Sequence, residues 1–562
     1  MSTNTEDESF HPLGEEWESE LTSMLDDTEY DTDLGLAMAE DAQRLVAGEL
    51  TEAEFHEKYH DDVMAEFGED ERPTAEAYEE AQEGGGLLDA LASLKGDDEQ
   101  SRRDVMKKMG VGGAFLGMGA LTTAEDGVGD GIVQASEDER DGTQWGMTID
   151  LEVCDGCLSC VQACGEENNL DQGVNWMYVL AYEDSNVSVP DDPDGPRDYP
   201  FLVRPCQHCT DAPCEKVCPT TARHTRSKDG LVLTDYDVCI GCRYCQVACP
   251  YGVNYFQWGE PDISDQQIVD QMNEEMGMDV ERGEPGDHIV GDYSDYADGD
   301  EHLRRVDSRA PRGVMSKCTF CPTRQDGFSG DEMVGTTACQ QACPPGAIQF
   351  GDVNDPASDA SLYAEYPALG RAIEDLFGRA RMAPTPEDVE EGLEEIDADE
   401  DDVDMDVIVE EAEIMDYEEL ALVRAIVVLT DDLEIDDYDR PRAMADDIEA
   451  ARELVDALED AGVDFEDERV RRVLRTGDES PDDAEAVLQG SYGSAESTFK
   501  LLEDIGTNPN VTYIGNEPGP SAEQVPGPVA YDSVTYDRAD GSEPALVDNR
   551  KDVLDEETVR GI

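Results

Sequence analysis

Positive charge is scarce in this chain. Its 562 residues hold 39 Lys and Arg against 137 Asp and Glu, a formal net charge of −98. A surface of that sign repels a nucleic-acid backbone and an anionic membrane face alike, so neither is expected as a partner. Long apolar runs are also missing. No stretch of 18 or more apolar residues occurs, so no segment reads as a membrane-spanning helix. The C-terminal half lacks a phosphate loop, a dinucleotide fingerprint and a nucleophile constellation. Self-repulsion opposes folding at low ionic strength, but in molar salt the Debye length falls to roughly 3 Å and most of it disappears. With 39% apolar residues and 20 tyrosines, a folded protein suited to a salt-rich cytoplasm is expected rather than a disordered one.

One segment breaks the acidity. Residues 101–108 read Ser-Arg-Arg-Asp-Val-Met-Lys-Lys, and Met109 to Ala124 carry no charge. Basic residues, then a weakly apolar Gly/Ala run, then small residues have the layout of an export signal, with Arg102-Arg103 in the twin-arginine form. Such a signal normally begins a chain, whereas about 100 residues precede this one. The expected route is therefore the twin-arginine translocase, which carries folded cargo, to the outer face of the cytoplasmic membrane.

The remaining organisation follows composition. Residues 1–100 form an acidic, partly helical extension, in which Thr51-Glu52-Ala53-Glu54 is a capping box ahead of Phe55, Tyr59, Val63 and Phe67 at helical spacing. The signal-like segment occupies 101–124, a cysteine-rich domain 125–352 and a second acidic extension 353–562. Acidic stretches at about 183–198 and 259–305 read as surface insertions. Residues 387–419 hold 19 Asp or Glu and no Lys or Arg, which predicts a solvated, flexible run. Helical apolar spacing resumes at 420–429 and at Ile448–Val463.

All 16 cysteines lie between Cys154 and Cys343, in four groups of four. They are Cys154-x2-Cys157-x2-Cys160-x3-Cys164, Cys206-x2-Cys209-x4-Cys214-x3-Cys218-Pro219, Cys239-x2-Cys242-x2-Cys245-x3-Cys249-Pro250 and Cys318-x2-Cys321-x17-Cys339-x3-Cys343-Pro344. Structural zinc takes two separated knuckles, which three successive cysteines at spacing three do not provide, and no group supplies histidine at ligand spacing. Cysteines this close bridge poorly as disulfides, and they make up too little of the chain for a disulfide scaffold. Iron–sulfur cubanes fit. One loop offers three thiolates, and the last cysteine of the run, before proline, ligates the neighbouring cluster.

That crossover rule gives four sets. The Cys206 set is Cys206, Cys209, Cys214 and Cys249; the Cys239 set is Cys239, Cys242, Cys245 and Cys218. These form an inner module over 206–249. The Cys154 set (Cys154, Cys157, Cys160, Cys343) and the Cys318 set (Cys318, Cys321, Cys339, Cys164) form an outer module from 154–164 and 318–343. The fold class expected is α+β, with tandem ferredoxin-like modules, one nested in the other, and acidic helical or flexible ends.

Arg204-Pro205-Cys206-Gln207-His208-Cys209, Asp229-Gly230-Leu231-Val232, Cys239-Ile240-Gly241-Cys242-Arg243-Tyr244-Cys245, Ala248-Cys249-Pro250-Tyr251 and Lys317-Cys318-Thr319-Phe320-Cys321 resemble the four-cluster iron–sulfur subunits of polysulfide, dimethyl sulfoxide and tetrathionate reductases. Cys164 followed by Glu166-Glu167-Asn168, without proline, resembles that family's first group. The resemblance covers 147–352. It implies four [4Fe-4S] clusters, the crossed pairing above, no catalytic residue of the chain's own, and partners in a molybdopterin catalytic subunit and a quinone-linked integral membrane subunit. Alternatives are an iron–sulfur component of a hydrogenase or formate dehydrogenase, or a stand-alone polyferredoxin-type redox enzyme. The 17-residue gap in the fourth group and the 259–305 insertion depart from the family pattern.

Some residues near the ligands have two readings. His208 fills space beside its cysteines rather than binding metal. Lys317 and Arg243 either offset cluster charge or are plain surface cations. Tyr251, Tyr255, Phe256 and Trp258 are expected to pack and exclude water. Replacing Arg102 and Arg103 together by lysine is expected to leave the protein in the cytoplasm. Fractionation of cells expressing the double variant checks this, and unchanged export would remove the twin-arginine reading.

Overall fold

The structure, a computed structural model, describes residues 11–72, 142–184, 199–264, 309–378, 382–396, 403–433 and 443–549, apart from isolated positions within those runs. The signal-like segment 101–124 and most of the 183–198 and 259–305 insertions lie outside the described residues.

Three helices come first: α1 (Gly14–Asp26), α2 (Thr32–Val46) and α3 (Glu52–Phe67). Asp31 caps α2 by accepting from the Leu34 N–H. Thr51 and Glu54 close the predicted capping box on α3, satisfying two donors that the first helical turn leaves open. Their apolar faces, including Leu21, Leu25, Met38, Phe55, Tyr59 and Val63, do not form a core of their own. They belong to one hydrophobic cluster that continues into the cysteine-bearing region.

In that region β1 (Trp145–Asp150) is buried along its whole length. It is followed by α4 (Ser159–Glu167), the strands β2 (Tyr178–Glu183) and β3 (Phe201–Arg204), the short helix α5 (Pro213–Lys216) and the hairpin β4 (Arg223–Thr225) with β5 (Val232–Thr234). The helix α6 (Tyr244–Ala248) and a second hairpin, β6 (Tyr255–Phe256) with β7 (Met315–Ser316), come next. Then follow α7 (Ala338–Ala342) and β8 (Ile348–Asp352), which runs antiparallel to β1 with Trp145 opposite Asp352. The N-terminal unit sits on α5 and α6: Arg243 donates to the Met24 carbonyl at 2.7 Å and Tyr244 to the Asp31 carbonyl at 2.7 Å.

Beyond β8 lies a helical unit: α8 (Asp359–Glu365), α9 (Pro367–Leu376), α10 (Pro386–Glu395), α11 (Tyr417–Asp432), α12 (Ala445–Ala461), α13 (Glu468–Leu474) and α14 (Pro481–Tyr492). It has a separate core that includes Ile373, Leu420, Ile426, Ile448, Leu458 and Leu488. The apolar periodicities at 420–429 and Ile448–Val463 are α11 and α12. The acidic run 387–419 is not wholly irregular, because α10 forms within it, capped by Thr385 with Asp388 and burying only Val389.

The chain then returns to the cysteine-bearing sheet. β10 (Val511–Ile514) runs parallel to β1, with Met147 opposite Val511, and β9 (Thr498–Phe499) flanks it, giving the order β8-β1-β10-β9. β11 (Glu523–Val525) pairs with β2 in a sheet ordered β11-β2-β3. The boundary expected at 352 therefore divides what backbone hydrogen bonds join. Without β10 and β11, the edges of β1 and β2 would present unpaired N–H and C=O groups, and buried edges of that kind are strongly disfavoured. Among the described residues no helix is long and apolar enough to cross a membrane.

Candidate iron–sulfur sites

Two of the cysteine loops share one backbone pattern. Between Cys154 and Cys160, Gly156 (φ 69°) and Leu158 (φ 68°) are left-handed; between Cys239 and Cys245, Gly241 (φ 68°) and Arg243 (φ 66°) take the same places. A Cβ on Gly156 would stand 2.5 Å from the Phe201 ring, and one on Gly241 2.0 Å from the Gly313 carbonyl oxygen, so only glycine fits. Each loop then enters a short helix, α4 or α6, one residue before its third cysteine. The result is a tight curl that brings three thiols round one point.

Thiols distant in sequence complete these groupings. Cys206, Cys209, Cys214 and Cys249 line one cavity, and Cys218, Cys239, Cys242 and Cys245 line another. Elsewhere, mutual repulsion identifies neighbours. Cys160 is repelled by Cys154, Cys339, Cys343 and Cys157, and Cys164 by Cys318, Cys321, Cys339 and, on the same helix, Cys160. Repulsion also runs between groupings, from Cys206 on Cys318 and from Cys245 on Cys214. None of the 16 cysteines is in a disulfide; Cys157 is exposed, Cys154 and Cys239 are half-buried, and the others are buried.

Burying so many thiols has an electrostatic consequence. Burial, together with repulsion from Cys343 and Cys157, pushes the Cys154 thiol up to about 12. Burial and neighbouring cysteines likewise push Cys239, Cys318, Cys321 and Cys339 to about 12. Left to themselves these groups stay protonated, yet a metal centre makes them ionise. The surroundings are built for anions. The N–H groups of His208, Arg223 and Ala347 lie 3.4, 3.3 and 3.3 Å from the Sγ atoms of Cys206, Cys218 and Cys343. The Arg223 guanidinium is 1% exposed, and its Nη2 donates to Asn254 at 2.8 Å and to Cys245 Sγ at 3.7 Å. Its Nε and Nη1 have no hydrogen-bond partner. Burial works against that charge, and only ionised sulfurs at Cys245, Cys214, Cys206 and Cys239 offset it and raise the Arg223 pKa. An isolated buried cation is costly, so an anionic centre among these sulfurs is the partner its position requires. All-sulfur donor sets, N–H groups aimed at sulfur and a buried counter-cation fit a [4Fe-4S] cluster in each grouping.

The other singled-out residues resolve individually. His208 stacks on Phe320 with centroids 3.8 Å apart; its Nδ1 accepts from the Val232 N–H at 3.0 Å and its Nε2 donates to the Cys318 carbonyl at 3.0 Å. Both ring nitrogens are used, so it packs rather than ligates. Lys317 is buried and donates to the Val232 and Cys318 carbonyls, and Arg243 is buried between the Phe256 and Trp258 rings, so neither is a plain surface cation. Tyr251 is buried on the Cys206 cavity wall and Tyr255 and Phe256 are partly buried, but Trp258 is 56% exposed and packs on Arg243 and Phe256 instead of a cysteine loop. Arg223 escaped the sequence reading. Its signal was a cation beside ligand runs in a chain with few cations. The C-terminal contribution also went unread: Asn510 donates to the His208 carbonyl at 2.6 Å, and the Tyr251 and Thr507 hydroxyls meet at 2.5 Å.

Comparison with known proteins agrees with this chemistry. Residues 11–75 match the family described as the N-terminal region of 4Fe-4S ferredoxin iron–sulfur binding, and residues 197–273 match the 4Fe-4S dicluster domain. The chain is 38% identical to a dimethyl sulfoxide reductase-type iron–sulfur subunit of Halobacterium salinarum, over 40% of this chain and 72% of that one. It is 34% identical to the menaquinone reductase iron–sulfur cluster-binding subunit of Nitratidesulfovibrio vulgaris, over 38% and 77%. It is 32% identical to a selenate reductase subunit of Mesobacillus selenatarsenatis, over 49% and 94%.

Arg223 generates a prediction. Coulomb's law gives about 2.4 kcal/mol for unit charges ~7 Å apart at an effective dielectric of ~20. Arg223→Gln should therefore lower the midpoint potential of one cluster by on the order of 100 mV. A redox titration followed by electron paramagnetic resonance measures it, and potentials equal to those of the wild type would contradict the assigned role.

Proposed function

The chain belongs to the family of iron–sulfur subunits of respiratory oxidoreductases, and from that premise we propose that it relays electrons between a molybdopterin catalytic subunit and a quinone-linked membrane subunit. Four [4Fe-4S] clusters supply the one-electron chemistry when bound. The chain's own work is to fix their spacing, keep them dry and set the local charge.

The observation that carries this reading is the continuity of the thiol groupings. The Cys154 set meets the Cys318 set where Cys160 and Cys164 share α4. The Cys318 set is within electrostatic reach of the Cys206 set through Cys318 and Cys206, and the Cys206 set of the Cys239 set through Cys214 and Cys245. Thiols are less than fully buried only at the two ends of that series, at Cys157 and Cys154 and at Cys239. A line of centres buried in the middle and reachable at both ends suits a relay between two partners; it does not suit an enzyme with an internal substrate site. The crossed sets are the ligand sets of this proposal, and the inner module over 206–249 is nested within the outer one.

Export belongs to the same proposal. Clusters are assembled before translocation, the translocase reads Arg102-Arg103, and the complex works at the outer membrane face. Salt adaptation accounts for the net charge of −98.

The crossed ligation predicts which variants share a lesion. Cys218→Ser and Cys242→Ser should erase the same cluster signal in electron paramagnetic resonance, and Cys249→Ser the signal erased by Cys209→Ser. Loss of the Cys209-dependent signal in Cys218→Ser would overturn the crossing. Co-purification with a molybdenum-containing partner is the expected behaviour of the whole protein, and substrate turnover by the chain alone would contradict the relay role.

A further inference from the structure

Outside the cysteine groupings, a second set of metal-ligating side chains converges at the end of the N-terminal unit. His56 and His60 stand one turn apart on α3, so both imidazoles leave the same face of the helix. Their ring centroids are 4.8 Å apart at an interplanar angle of 23°. The helix ends at Gly68, whose φ of 76° turns the chain so that Asp70 comes back against both rings. Asp70 Oδ2 lies 2.9 Å from His60 Nδ1 and 3.7 Å from His56 Nε2. One ligand atom from each of the three residues can be chosen so that all lie within 4.8 Å of one another.

One of these atoms lacks a partner. His56 is 6% exposed, and its Nε2 makes no hydrogen bond; 3.7 Å from a carboxylate oxygen is too long for one. Leaving a buried polar atom unsatisfied costs about 1–3 kcal/mol, so its aim at Asp70 needs a reason. Burial, helped by the charges of Arg72 and His60 and opposed by Asp70, keeps His56 below its usual pKa, in the neutral form that binds metals. Arg72 holds the Asp70 carboxylate from its far side, Nε to Oδ1 at 2.8 Å and Nη2 to Oδ2 at 2.8 Å. Ligating carboxylates are commonly oriented by such an outer donor.

We propose that His56 Nε2, His60 Nδ1 and Asp70 Oδ2 bind a divalent transition cation of the zinc class, with water in the fourth position. Tetrahedral zinc with bonds of about 2.0–2.2 Å sets its ligand atoms roughly 3.3 Å apart. The two separations from Asp70 Oδ2, 2.9 and 3.7 Å, lie on either side of that figure, and rotation of the two rings has to bring their nitrogens to the same spacing from a bound of 4.8 Å. The net charge of −98 raises the local concentration of cations. The ion ties Asp70 to α3, and through α2 this unit rests on the helix that carries Cys245. Its effect is on the stability of the N-terminal unit, and it takes no part in electron relay.

The test uses the full-length, cluster-loaded protein in molar salt. After dialysis against a chelator, Zn²⁺ is added back, zinc and iron are counted in one sample, and zinc K-edge absorption reads the donor atoms. One zinc per chain with a nitrogen and oxygen shell is expected. His60→Gln and Asp70→Asn should each weaken zinc retention at least about tenfold, with the iron content unchanged. His60 suits substitution because its side chain is 40% exposed. A sulfur shell, no retained zinc, or retention in both variants equal to the wild type overturns the proposal. The relay is read separately, from the iron content of the same sample.

Discussion

Everything in the centre of this molecule depends on thiols that are buried where they cannot ionise alone. Low polarity and crowding raise the pKa values of Cys154, Cys160, Cys164, Cys239, Cys318, Cys321 and Cys339 among them, and only a strongly cationic centre reverses that. The donors gathered round the sulfurs and the unpaired guanidinium nitrogens of Arg223 make sense only with anionic centres in place. Metal loading is therefore coupled to folding. The glycine curls at Gly156 and Gly241, the short helices behind them and the two hairpins are the scaffold that this event stabilises.

The outlying segments take part in that scaffold. The N-terminal helices cover the helix bearing Cys245, and the C-terminal strands close the sheet edges beside Cys154 and Cys206. The helical unit between β8 and β9 is different. It has its own core, and it touches the sheet through contacts such as Arg371 with Asp150 at 2.7 Å and Glu152 at 2.6 Å.

The chemistry was far more legible than the architecture. Cysteine spacing puts together the same thiols that line each of two cavities, because ligand loops are local and their geometry is written in consecutive residues. The capping box at Thr51 and the apolar periods of α11 and α12 were readable for the same reason. The return of β10 to β1 was not. Val511, Tyr513 and Ile514 form a short apolar patch in Gly/Pro-rich surroundings, and their partner strand lies more than 350 residues earlier. Burial of Lys317 and Arg243 was hidden too, since the groups that receive them, the Val232 carbonyl and the Phe256 and Trp258 rings, come from other elements.

Metal content tests the central claim most directly. Iron and acid-labile sulfide, counted on the purified full-length chain with no oxidative loss, should come to about sixteen of each, four per cluster. Several zinc atoms bound to sulfur in place of iron, or thiols recovered free in a folded protein, would contradict the account.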